Sequence, residues 1–301
     1  MQIVQPKEIT DSILTSDVAI TEALWTSGTY NEGDKRYVTT TGYEYDYFEC
    51  LSTTTDDPVT GFLKETPTWK RLGKINKWKM FDKRQGTQTV NEDEINIYLE
   101  PSGIIDSLAI LNTACEYIDV TITDTEEGVV YEEIFQMIDN SGVFNWYTYF
   151  FEEYVTKTDL TILDLPSFSD TTINVKFYYS SLGSDVSVGE LLIGNKKFIG
   201  FTQLATNIGI DDFSRKEYNP ALDYFEIEER SYVKRANFDV QLETADITRV
   251  QRLLAEVRSS PTLYIGDEQQ GALILYGFYR NFDIVFSSPS LSSCSIEVEG
   301  L

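Results

Sequence analysis

The sequence predicts a mainly β protein built from several β-sandwich or barrel modules, the C-terminal one with a single packed amphipathic helix. Three observations carry that prediction. Apolar residues alternate with period two through the middle of the chain, one segment alone has the period of a helix, and Gly, Pro, Asn and Asp separate the runs. The chain has 301 residues, more than the roughly 100–150 of a common domain, so more than one core is expected. With 42% hydrophobic and 24% charged residues it is too apolar to stay unfolded.

Residues 1–22 are rich in Thr and Asp, have no long hydrophobic period, and read as an N-terminal arm. Residues 23–73 crowd aromatic and β-branched side chains between turn residues, which predicts a small β domain of short strands without helix. Residues 74–190 predict a jelly-roll-like sandwich. Ile95, Ile97 and Leu99 share one face of a strand, as do Ile118, Val120 and Ile122, and as do Ile173, Val175, Phe177 and Tyr179. NKWKMFD reads as an entry strand of this module with Trp78 and Phe81 inside, and the run Phe144 to Tyr154, apolar on both faces, as a buried strand.

Residues 191–301 predict a barrel or sandwich crossed by one helix at about 245–259. Ile247, Val250, Leu253, Leu254 and Val257 fall on one stripe, Asp246 sits where the helix dipole favours an anion, and Pro261 ends the pattern. The segments LLIGNKKFIGF, ANFDVQL, LILYGFY, FDIVF and CSIEVEGL supply strands for it to cover.

Charge and composition narrow the function. A net charge of -25 repels phosphate backbones and anionic lipid, so nucleic acid is not an expected direct partner. Cys50, Cys115 and Cys294 lack the spacing of a disulfide framework or a zinc site and read as free thiols. Neither a signal-peptide pattern nor an apolar run near the ~20 residues of a membrane span is present, which points to synthesis in a cytoplasm.

Histidine is absent, and with it Ser-His-Asp and Cys-His nucleophiles and histidine metal sites. GELLIGNKK, Gly189 to Lys197, spaces two glycines as a phosphate loop does, but Asn195 stands where the motif's lysine belongs and the segment reads as a strand. The acidic groups Asp56-Asp57, Asn91 to Glu94 and Asp124 to Glu127 lack calcium-loop spacing and read as solvated turns. No enzyme activity, catalytic residue, metal or cofactor is expected.

Trp25, Thr29-Tyr30, Gly33-Asp34, Val38, the strand Phe48 to Leu51, Pro58 and Trp69 together resemble the small chitin-binding type of carbohydrate-binding module, over about a sixth of the chain. That resemblance implies a platform of Trp25, Tyr30 and Trp69 on which sugar rings stack. The same three rings are also what a module of this size needs for its core, and that is the reading we expect.

A wider resemblance runs along essentially the whole chain. It is carried by ITDSILTSD, GKINKWKMFD at Gly73 to Asp82, the YTYFFE block, DDFSRKEY at Asp211 to Tyr218, ERSYVKR at Glu229 to Arg235, VQRLLAEVRSSPTLYIGD, LILYGFYRNFDI and CSIEVEGL, in that order. With these motifs the sequence is similar to a family of bacteriophage and prophage virion proteins, commonly labelled carbohydrate-binding or tail proteins. The resemblance implies a structural component of a phage tail, tail tip or neck, made in the host cytoplasm, bound to other virion proteins and forming a homo-oligomeric ring. The alternative is a receptor-recognition or decoration protein that holds host cell-surface glycan through its N-terminal module.

Overall fold

A computed structural model describes residues 1–139, 145–151, 155–204, 206–219, 223–268 and 270–301. The protein is mainly β, with 50% of residues in strands and 11% helical, and one of its several sheets curls into a half-barrel. Two compact units divide the chain. One comprises Glu8–Leu192, the other Met1–Lys7 with Ile193–Leu301.

In the Glu8–Leu192 unit, five antiparallel strands lie in the order Gly128–Gln136, Tyr117–Asp124, Thr171–Tyr178, Glu94–Leu99, Leu14–Ser16. The register sets Ile173, Val175 and Phe177 opposite Leu99, Ile97 and Ile95 on one side, and opposite Ile122, Val120 and Ile118 on the other. All nine side chains are buried. Cross-strand apolar pairs of this kind fix the register, because a slip of one residue would turn the whole set to solvent.

A second sheet of this unit contains Ser107–Ala114 between Leu160–Ile162 and the N-terminal half of the long strand Asp185–Phe198, which Thr89–Glu92 also joins. Leu108 to Leu111 are buried without alternation, so this strand is covered on both faces. Gly189 belongs to the long strand and not to a phosphate loop. A β-carbon there would stand 2.9 Å from the Leu111 carbonyl oxygen and 2.8 Å from the Asn112 β-carbon, so the missing side chain allows the strands to approach.

The third sheet of the unit is a small meander, Lys35–Tyr37, Asp46–Cys50 and Trp69–Lys74. Its core is Tyr30, Val38, Phe48, Cys50, Val59 and Trp69. A five-residue helix, Pro58–Phe62, interrupts it, although no helix is expected there from sequence. Proline at the first helical position and the Asp57 carboxylate, which accepts from the Val59 and Thr60 amides at 3.1 Å each, start this helix. Asp57→Ala should therefore cost the module about 1 kcal/mol in a urea unfolding experiment, and Asp57→Asn much less.

In the other unit, the strands run in the order Ile193–Phe198 portion, Gln2–Pro6, Thr262–Ile265, Ile274–Val285, Leu291–Gly300, Tyr232–Glu243, all antiparallel. Across the sheet packs the helix Ile247–Val257, preceded by the 3-10 turn Thr244–Asp246. Its stripe of Ile247, Val250, Leu253, Leu254 and Val257 enters one core with Ile3, Phe238, Val240, Tyr264, Leu275, Ile296 and Val298. Each such side chain contributes about 1.5–3 kcal/mol by leaving water. The Tyr279 hydroxyl donates to the Leu254 carbonyl oxygen at 3.0 Å, which ties helix to sheet.

Several sequence expectations change. Gln2–Pro6 is not part of a free arm: it is an internal strand, between Thr262–Ile265 and the C-terminal half of Asp185–Phe198. NKWKMF is a 3-10 helix, Asn76–Phe81, and not a strand. Its three residues per turn put Ile75 and Trp78 on one buried face, while Phe81 is half-buried. Trp146–Phe151 is a helix, not a buried strand, with Trp146, Tyr147 and Phe150 exposed and the Trp146 and Phe150 rings stacked one turn apart at 6.2 Å. A short, largely aromatic run carries no clear period by which strand and helix can be told apart. Residues 144 and 152–154 of this run lie outside the described residues. LILYGFY and FDIVF form one strand, Ile274–Val285, irregular between Tyr279 and Asn281.

Candidate functional site

Trp69 and Tyr30, two members of the sequence-derived sugar platform, lie inside the small meander. Trp69 is 0% exposed and Tyr30 6%. Trp69 comes from the edge strand Trp69–Lys74; its indole N–H donates to the Asp56 carbonyl oxygen at 3.1 Å, and a β-carbon at Gly61 would stand 2.5 Å from its ring. Tyr30 meets Trp69 edge-on at 5.4 Å, its hydroxyl donates to the Thr26 carbonyl oxygen at 2.6 Å, and the Arg36 guanidinium lies 5.1 Å from its ring centre. Neither ring has a face to offer a sugar. Trp25 is half-buried and packs against the same core. The three residues do come together, Tyr30 and Trp69 as interior and Trp25 half-buried against them.

The acidic groups likewise have local duties. Asp56 accepts from Lys64 and Thr68, Asp57 caps a helix, and the Asp124 carboxylate accepts from the Glu126 and Glu127 amides in a turn. No group of three or more metal-ligating side chains converges among the described residues. All three cysteines are free and buried. Burial raises the Cys115 and Cys294 thiols to about 11, which suppresses the thiolate that a nucleophile needs.

The surface of the C-terminal unit is less ordinary. Asn207–Asp212 pairs with the first half of Tyr232–Glu243, and the two chains run on into a second pair, Arg215–Asn219 with Tyr224–Glu228. Between them the Phe213 amide donates to the Ser231 carbonyl oxygen and the Arg230 amide to the Ser214 hydroxyl. Every residue from Asp223 to Tyr232 is exposed, as are Arg215 to Tyr218. A two-stranded ribbon alone is marginally stable in water, and the described residues of this one's outer half are exposed on both strands.

Its two faces differ. Alternation and register place Tyr218, Phe225 and Ile227 with Lys216 on one face, and Tyr218 meets Phe225 at 5.3 Å. Glu217, Glu226 and Glu228 with Arg215 and Tyr224 share the other. Glu217 stands directly opposite Glu226, a pairing of like charges that weakens a sheet. Arg215 pairs with Glu217 and Arg230 with Glu228, at 2.8 Å for the latter, while the Tyr224 hydroxyl donates to Glu226 at 3.0 Å. Nearer the body, Ile208, Ile210 and Phe213 are 54%, 59% and 51% exposed. Exposed apolar residues thus run along the ribbon from Ile208 to Ile227 among the described residues.

The same unit carries a groove of about 300 Å³ lined by Lys197, Arg249, Arg252, Leu253 and Glu256. It lies between the helix Ile247–Val257 and the end of the long strand. Arg249 is held by Asp246 at 3.1 Å and by the Phe198 carbonyl oxygen at 2.9 Å. Lys197 stands 3.7 Å from Glu256, and Arg252 has no ion pair among the described residues. Beside the groove Phe198 and Phe201 touch edge to face at 5.3 Å, with 45% and 69% of their surface exposed.

These features define a β-rich protein with an exposed, two-faced ribbon and a groove that holds Lys197, Arg249 and Arg252. The motifs DDFSRKEY and ERSYVKR lie in the ribbon, and the sequence signal for it is the alternation of apolar and charged residues in Tyr224–Glu228. No family model matches the chain, and no curated protein matches it. Among the described residues no helix is long and apolar enough to cross a membrane.

Proposed function

We propose that this protein is a structural, non-enzymatic component of a tailed-bacteriophage particle, in the tail, tail tip or neck, and that it acts by protein–protein assembly. The observation that carries the assembly role is the ribbon, whose large apolar side chains, 45% to 66% exposed, are uncovered in the single chain. The phage setting rests on the ordered motifs of the sequence. An acidic surface of net charge -25 suits a protein made at high copy that must stay dispersed until it meets its neighbours, and it disfavours direct contact with DNA.

Cryo-electron images of particles, with the chain located by a bound antibody fragment, test this reading. Stoichiometric copies in tail or neck are expected, and removal of residues 213–231 should leave a folded chain that no longer enters particles. Normal infectious particles formed without the chain would overturn it. The glycan-binding alternative requires a stacking surface other than Tyr30 and Trp69, whose rings are interior.

A further inference from the structure

We infer that the outer end of the ribbon of one copy docks into the Lys197–Arg249–Arg252 groove of a second copy, so that the chain assembles head to tail. The contact rests on the assembly reading above and gives it a partner surface. Its first support is charge. The ribbon strands Arg215–Asn219 and Tyr224–Glu228 with the adjoining Asp223 and Glu229 hold five carboxylates against Arg215 and Lys216. The groove gathers Lys197, Arg249 and Arg252 around Leu253; Glu256 pairs with Lys197 and Asp246 with Arg249, which leaves the charge of Arg252 without an ion pair among the described residues.

The second support is the Glu217–Glu226 opposition. Like charges set face to face cost stability in an isolated ribbon; Arg215 offsets part of that cost at Glu217, and a further cation against Glu226, which accepts from the Tyr224 hydroxyl, removes more. Arg252, which has no ion pair of its own among the described residues, is suited to the task. The third support is the apolar match. Tyr218, Phe225 and Ile227 cover the opposite face of the same ribbon, and Phe198 and Phe201 stand exposed beside the groove. The outer ribbon is exposed along both of its described strands, so the groove that covers it is assigned to another copy. Ribbon and groove are different surfaces, so the contact is heterologous, and repeated contacts close into a ring or run on as a filament.

Sedimentation velocity over a concentration series tests the contact. The wild-type chain should associate reversibly, more weakly at 0.5 M salt, since the pairs are exposed to screening. Glu217→Lys with Glu226→Lys should weaken association about tenfold or more, and so should Lys197→Glu with Arg252→Glu. All four side chains are half to fully exposed, and an unchanged circular dichroism melt confirms that each variant folds. An equimolar mixture of the two double variants should associate again, because each supplies the intact surface the other lacks.

If the wild type associates and neither reversal weakens it, or if both weaken it and the mixture stays dissociated, the ribbon–groove contact is overturned while assembly by another surface stands. A wild-type chain that remains monomeric up to about 100 µM, well above the Kd of a specific micromolar interface, also overturns the contact. The particle experiment then decides the assembly reading independently.

Discussion

Trp69→Ala is expected to destabilise the small meander by about 3–5 kcal/mol, the usual cost of removing a large buried aromatic. The indole is wholly enclosed, meets Tyr30 edge-on at 5.4 Å, lies against Gly61, and satisfies the Asp56 carbonyl oxygen. Its loss leaves a cavity and an unpaired acceptor together. A core of six residues has little else to compensate. Limited proteolysis and near-ultraviolet circular dichroism should report opening of residues 23–73 while the unit Met1–Lys7 with Ile193–Leu301 keeps its protection. Trp69→Phe should cost less, because most of the cavity is refilled. Retention of a wild-type melting profile by Trp69→Ala would show that the ring is not the keystone described. A glycan assay on this variant therefore reads unfolding as well as binding.

The second large effect is a dependence of stability on pH set by Glu190. This residue is 1% exposed, and one of its carboxyl oxygens has no hydrogen-bond partner. Burial, followed by the repulsion of Asp82, raises its carboxyl to about 8 from an ordinary 4.5; the amides of Arg84 and Lys83 and the charge of Lys83 pull the other way. Asp82 is itself raised by burial, against the pull of Arg84 and Lys74. The folded chain holds the Glu190 proton more tightly than the unfolded chain, so between pH 4.5 and 8 unfolding releases a proton and stability falls as pH rises. At about 1.4 kcal/mol per unit inside that window, the loss between pH 5 and 8 is on the order of 3 kcal/mol.

Glu190→Gln keeps the shape without the titration. In urea unfolding at pH 5, 6.5 and 8, the variant should lose less stability with rising pH than the wild type and be the more stable of the two at pH 8. The repulsion of an acidic surface also grows with pH but acts on both proteins, so the difference between them isolates Glu190. Parallel stability curves for the two would refute the assignment.

Much of this architecture is legible in the amino-acid order. Ile95, Ile97 and Leu99, Ile118, Val120 and Ile122, and Ile173, Val175 and Phe177 occupy the buried face that their alternation predicts, and Ile247 to Val257 forms the one long amphipathic helix. These features are legible because strand and helix periods follow from local backbone geometry, so a face can be read without knowing its partner. Tyr30 and Trp69 show the limit. Aromatic rings in a row suit a platform and a core equally, and only the strand Asp46–Cys50 and the helix Pro58–Phe62 folded over them make them interior.

The sequence by itself determined the β class, the faces of the regular strands, the helix and the absence of histidine chemistry. Only the tertiary fold makes Gln2–Pro6 pair with residues more than 180 positions away, winds Asn76–Phe81 into a 3-10 turn, and joins the motifs around Phe213 and Tyr232 into an exposed ribbon. The physical reason is that burial and pairing are relations between distant segments. Period and composition describe one segment at a time, whereas exposure depends on what the rest of the chain brings against it.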